Sequence, residues 1–150
     1  MEDIVRILRQ GAYSCVVANQ GRVETFSRRG VADLYCLLRE NPEFLRGARI
    51  ADKVVGKAAA ALMILAGASR LYAEVLSRPA LELLQRAGLE THYSQCVPYI
   101  INRSASGWCP LETRCFTLQT PEECLVQITD FLAGIAGADT VSSEKSSTEP

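Results

Sequence analysis

The chain is poor in the residues from which metal and nucleophilic sites are most often built. His92 is its only histidine, which excludes a histidine-pair metal site and a serine triad of the usual kind. Its neighbours Thr91 and Tyr93 suggest an exposed loop, and it is given no role. The six cysteines (Cys15, Cys36, Cys96, Cys109, Cys115, Cys124) include no Cys-x-x-Cys pair. An excess of charge is also missing: sixteen basic residues against seventeen acidic leave a net charge of -1. No global field would hold a polyanion or an anionic membrane surface, so nucleic acid is not the expected partner.

Long apolar runs are absent too. The longest, residues 58–68, has eleven residues, where a bilayer span needs about twenty. The amino terminus carries Glu2, Asp3, Arg6 and Arg9 where a secretion signal would need an unbroken apolar stretch. A cytoplasmic location with reduced thiols is expected.

What the chain does have is apolar mass: 48% of its 150 residues are hydrophobic, enough for one sizeable core. A single domain over residues 1–137 is expected. The tail, residues 138–150, is polar and nearly without large apolar side chains, which predicts disorder. Ile4, Ile7 and Leu8 lie at helical spacing before Gly11. Residues 13–18 and 23–26 read as a hairpin around Asn19-Gln20-Gly21. Val31, Leu34, Tyr35, Leu37 and Leu38 give a helix ended by Asn41-Pro42, with a helical turn at residues 43–46.

Residues 48–51 read as a connector, and Asp52 as the cap of a largely apolar helix that Gly67 ends. Residues 70–76 alternate as a strand. Residues 79–87 form a helix with proline in its first turn. Residues 96–101 are a strand candidate, residues 102–114 an ordered loop, and residues 115–118 a last strand. Pro121 opens the final helix, with Glu122 and Glu123 at its positive end. This order predicts an α/β protein, a three-layer α/β/α sandwich with a mixed sheet.

Two stretches carry chemistry. In the first, Asp52 as cap would place Lys53 and Lys57 on one helix face, four residues apart. Together with free helix N–H groups they would suit a phosphate or carboxylate. Gly56, costly inside a helix, implies that something approaches closely. The alternative is that the lysines reach solvent and Gly56 only admits a neighbouring element. The lack of a following Ser or Thr excludes a P-loop.

The second stretch is Asn102-Arg103 with Trp108, Cys109 and Glu112. Arg103 can grip an anion, Trp108 can stack on a base and Glu112 can accept from a ribose or amine. The alternative is a Trp108 that covers the core and an Arg103–Glu112 bridge.

The segments ADKVVGKAAAALMILAGA, YAEVLSRPALELLQRAG and YIINRSASGWCPLE closely resemble the family of the domain of unknown function 1893, over roughly residues 1–136 as a whole. The resemblance implies a cytidine-deaminase-like fold. A zinc deaminase needs a His or Cys two residues before a catalytic Glu, and Pro-Cys-x-x-Cys at a second helix start. Set in that register, Val55-Gly56-Lys57 would occupy the first motif and residues 79–83 the second. The ligand positions would then hold Val55, Ala80 and Leu83, and the proton shuttle Lys57, so no zinc is expected.

The resemblance therefore implies a metal-free pocket for a nucleotide-type ligand, lined by Asp52, Lys53, Gly56, Lys57, Asn102, Arg103, Trp108, Cys109 and Glu112, without deaminase activity. The alternatives are a metal-free enzyme with Lys57 or Cys109 as nucleophile or base, and an interaction module that forms a homo-oligomer through its apolar helices.

Overall fold

In the computed structural model, residues 1–28, 31–101, 107 and 109–144 are described, with side chains as far as Gly134. The elements run α1 (Glu2–Gln10), β1 (Cys15–Asn19), β2 (Arg22–Phe26), α2 (Ala32–Glu40), α3 (Pro42–Leu45), β3 (Arg49–Val55), α4 (Lys57–Ala66), β4 (Arg70–Ser77), α5 (Arg78–Ala87), β5 (Glu90–Val97), α6 (Pro110–Cys115) and α7 (Pro121–Glu144). The five strands make one mixed sheet in the order β2-β1-β3-β4-β5. β1 is antiparallel to β2 and β3, whereas β3, β4 and β5 are parallel.

Strand alternation divides the apolar residues between two faces. Val16, Ala18 and Ala51 meet Ile4 and Leu8 of α1 on one face. Cys15, Val17, Ile50, Val55, Leu71 and Ala73 meet α2 to α7 on the other, in the main core. Helices thus flank both faces. α4 is central: Ala58 to Met63 are all buried, and an all-apolar helix has no face to give to water.

The hairpin, α1, α2, α3, β4 and α5 lie where the sequence predicts them. Ser77 caps α5, its hydroxyl accepting from the Ala80 N–H at 3.2 Å. Gly67 and Gly88 end α4 and α5 with φ of 77° and 76°, the left-handed conformation that favours glycine at that place.

Several expectations are corrected. Asp52 caps no helix: residues 49–55 are the central strand β3, and the helix starts after Gly56. The local pattern of Asp followed by apolar residues suits a helix, but pairing with β1 on one side and β4 on the other decides the outcome. Residues 91–93 lie in β5, not in a loop, and β5 ends at Val97, before Pro98, rather than running through residues 96–101. Its parallel ladder with β4 supplies the strand hydrogen bonds that its polar composition conceals.

Within residues 102–114, Pro110 opens α6, its missing N–H costing nothing at a first helical position. Cys115 ends α6, so residues 115–118 form no last strand. Finally, the helical backbone of α7 continues past Gly137 to Glu144, because extending an existing helix requires only one residue to be fixed per added hydrogen bond.

Candidate functional site

β3 and β4 are adjacent and parallel, and each runs directly into a helix on the main-core side. Their carboxyl ends therefore bring the starts of α4 and α5 together, where open α/β sheets generally bind ligands. Gly56 stands at the start of α4. A Cβ there would lie 3.1 Å from Glu112 Oε1 and 3.2 Å from Ile100 Cγ1. The close approach that Gly56 implies in the sequence is thus made by α6 and by the end of the β5 connection.

Glu112 is 1% exposed. Its Oε1 accepts the Lys57 N–H at 2.8 Å and its Oε2 accepts the Ile100 N–H at 2.9 Å. A carboxylate of the protein itself thus occupies the anion position at the first turn of α4. The same lysine is held at its other end: Lys57 Nζ donates to the carbonyls of Phe116 and Leu118, at 3.0 and 2.5 Å. Those carbonyls follow α6, where an ammonium meets the negative end of the helix. Lys57 is 5% exposed.

Lys53 does not join it. It sits exposed on β3, its N–H donating to the Ser14 carbonyl at 3.0 Å. The two cations expected on one helix face are therefore separated by the change from strand to helix.

Asp52 is buried on β3, directly across from Cys15 of β1. Its Oδ1 accepts the Val54 N–H at 3.2 Å. Burial pushes its carboxyl up to about 7, against the opposing pull of the Val54 and Lys53 N–H groups and the Cys15 thiol. Burial, with Asp52 beside it, pushes the Cys15 thiol well up. Arg28 forms an ion pair with Asp33 at 2.5 Å and approaches the Cys36 sulfur at 3.8 Å. Cys15 lies in the main core. The buried carboxylate beside it becomes visible only once residues 49–55 are read as a strand, which places Asp52 on the same face as Ile50.

Cys109 is half-buried at the start of α6. Its N–H donates to the Ile100 carbonyl at 2.7 Å, and its carbonyl accepts the Thr113 N–H. Ile100 is thus bound twice, by Cys109 through its carbonyl and by Glu112 through its N–H, which pins together the two ends of the connection between them. Asn102, Arg103 and Trp108 belong to that connection and lie outside the described residues. The structure therefore brings together Gly56, Lys57, Cys109 and Glu112, and leaves Lys53 apart.

Among the described residues no group of three or more His, Cys, Asp or Glu side chains could hold a metal ion. Two shallow grooves lie elsewhere, one beside α1 over Tyr72 and one between Asn19 and Phe44. Among the described residues no helix is long and apolar enough to cross a membrane.

A search of curated proteins gives no match. The solved structure of a DUF1893 family protein from Thermotoga maritima is similar to this chain over 86% of its length and 87% of the other, with a TM-score of 0.80 at 23% identity. That likeness establishes a shared fold. The model of the domain of unknown function DUF1893 matches residues 3–132, and the chain belongs to that family.

Proposed function

We propose that the protein binds a nucleotide-type ligand without a metal, beneath the connection between Ile100 and Cys109, and does not deaminate it. The observation that supports this reading is the double hold on Ile100 by Cys109 and Glu112. It fixes both ends of a polar connection beside the carboxyl ends of parallel strands, the usual ligand position in such sheets. Arg103 would take a phosphate and Trp108 would stack on a base.

Lys57 is left out of ligand contact, because its ammonium and its N–H are both engaged within the protein. The cytidine-deaminase-like assignment is part of this proposal. Its support is the mixed sheet flanked by helices on both faces, with two helix starts at neighbouring strand ends. In the register that the resemblance implies, Val55, Ala80 and Leu83 offer no zinc ligand, and all three are buried apolar residues.

A second reading, thiol chemistry at Cys109, is favoured by its partial exposure at the start of α6. The same geometry disfavours Lys57 as the nucleophile. Mass spectrometry of the purified protein, native and then denatured, separates the readings. A nucleotide released on denaturation supports the binder, and an adduct retained on Cys109 supports the thiol enzyme. Absence of both, together with no thermal stabilisation by any nucleotide of a panel, overturns the proposal.

A further inference from the structure

The two edges of the sheet are built differently. β2 has five residues and carries Arg22 and Glu24, paired with each other at 2.8 Å. Short length and charge are the usual guards against edge-to-edge association of sheets. β5 has eight residues, Glu90–Val97, and among the described residues no strand pairs with its outer side.

β5 lacks those guards. It contains no lysine, arginine, proline or glycine. Its ladder with β4 keeps one register from Arg70↔Glu90 to Ser77↔Val97, without the extra residue that a bulge would insert. The one carboxylate, Glu90, stands at the first position and is paired within the chain, to Arg70 at 3.2 Å and to His92 at 3.1 Å. Residues 92–95 are all exposed, and because successive side chains alternate, both faces of the strand are open there. The outer side of β5 is thus a straight, nearly neutral row of main-chain donors and acceptors.

We propose that β5 pairs antiparallel with β5 of a second copy of the chain, so that one continuous sheet runs through a two-fold symmetric dimer. Like faces join when the two-fold axis is perpendicular to the sheet, and each residue then meets one an even number of positions away. With the axis at Tyr93, His92 meets Ser94, Thr91 meets Gln95 and Glu90 meets Cys96, and no like charges oppose each other. Tyr93 meets the second copy's Tyr93. This ring lies on the main-core face, since its partner on β4 is Ala73, and it is 43% exposed. The pairing gives it an aromatic neighbour across the strands.

Moving the axis by one residue either sets His92 against His92 or sets Glu90 against Pro98, which has no N–H to donate. The segment therefore complements itself in one register, and this self-complementarity identifies the occupant as a second copy rather than a strand of another protein. α4, the most apolar helix, is buried within each chain and is not available for such a contact. The inference stands whether or not a ligand binds beneath the Ile100–Cys109 connection.

The test measures the mass of the full chain by sedimentation equilibrium from micromolar to millimolar concentration, with thiols kept reduced. A reversible monomer–dimer equilibrium is expected. Tyr93→Lys sets two ammonium groups against each other at the axis and should raise the dimer Kd by at least about tenfold. Val23→Lys, on the exposed part of β2, should leave the Kd unchanged. In the unaltered chain, hydrogen exchange at residues 91–95 should slow with rising concentration, while exchange along β2 stays constant.

The exchange comparison on the unaltered chain decides the matter even if Tyr93→Lys fails to fold. An unaltered chain that stays monomeric up to millimolar concentration, a dimer that survives Tyr93→Lys, or concentration-dependent protection that falls elsewhere than on β5 overturns the proposal.

Discussion

Lys57 and Glu112 hold each other's helices in reciprocal fashion. The Glu112 carboxylate, on α6, accepts the N–H of Lys57 at the positive start of α4, and the Lys57 ammonium binds the carbonyls that follow α6 at its negative end. Each charge is placed where the partner helix dipole favours it. The place where a sequence reader sets an anion-binding pocket is thus an internal joint between α4 and α6.

Removing the carboxylate should therefore be costly. Glu112→Ala leaves two N–H donors without their acceptor, that of Lys57 buried and that of Ile100 part-buried, and hydrogen bonds to a charged group contribute about 1.5–3 kcal/mol each. A loss of about 3 kcal/mol or more is expected in urea unfolding, with Glu112→Gln intermediate because one acceptor survives. A loss below about 1 kcal/mol for the alanine variant would show that the joint is dispensable.

Lys57→Met keeps the apolar stem and removes the ammonium, which exposes the difference between an anion site and a structural role. The Phe116 and Leu118 carbonyls lose a charged donor, so stability should fall by about 2–4 kcal/mol. Nucleotide affinity, measured under conditions where the variant stays folded, should change little. A stable variant that has lost nucleotide binding would restore the two-lysine site and remove the joint.

Gly56→Ala tests the same contact sterically. The added methyl group would meet Glu112 Oε1 at 3.1 Å and Ile100 Cγ1 at 3.2 Å, and a buried carboxylate held by two N–H groups has little room to yield. Overpacking of this kind typically costs about 1–3 kcal/mol. A gain in stability, as expected for Gly→Ala at an unstrained helix start, would contradict the geometry.

Asp52 should give the protein a distinctive pH dependence. Its folded-state carboxyl is raised from 3.8 to about 7. Its favourable contribution is therefore complete below about pH 4 and is lost as pH rises towards 7, the reverse of a salt-bridged aspartate. A rise of that size corresponds to about 4 kcal/mol between the two protonation states. Asp52→Asn should match the unaltered protein near pH 4 and exceed it in stability at pH 8. Urea midpoints of the two proteins that run parallel between those pH values would refute the assignment.

Much of the fold is legible from periodicity. The hairpin, α2, β4, α5 and their glycine and proline stops follow from local chemistry, because those signals depend on residues near in the chain. β3 is not legible in that way. Residues 49–55 contain one aspartate, one lysine and one arginine among small and β-branched residues, a pattern equally suited to a helix start, and only pairing with β1 and β4 makes them a strand.

This misreading passes directly into the site. Once Asp52 is taken as a cap, Lys53 and Lys57 fall on one face; with Asp52 in a strand they do not. Gly56 does carry a correct signal of close approach, and Glu112 is singled out correctly as a polar group of interest. Its partner is a main-chain N–H fifty-five residues away, a contact that no local pattern can announce.

The most direct test follows the Lys57 and Ile100 amide signals by nitrogen-15 nuclear magnetic resonance, with hydrogen exchange, while inorganic phosphate and then a nucleotide are titrated in. Both amides are expected to exchange slowly and to keep their shifts in phosphate, since Glu112 already occupies the position at the start of α4, while a nucleotide perturbs residues of the Ile100–Cys109 connection. Saturable movement of the Lys57 amide with phosphate alone, or fast exchange at both amides, would contradict the account.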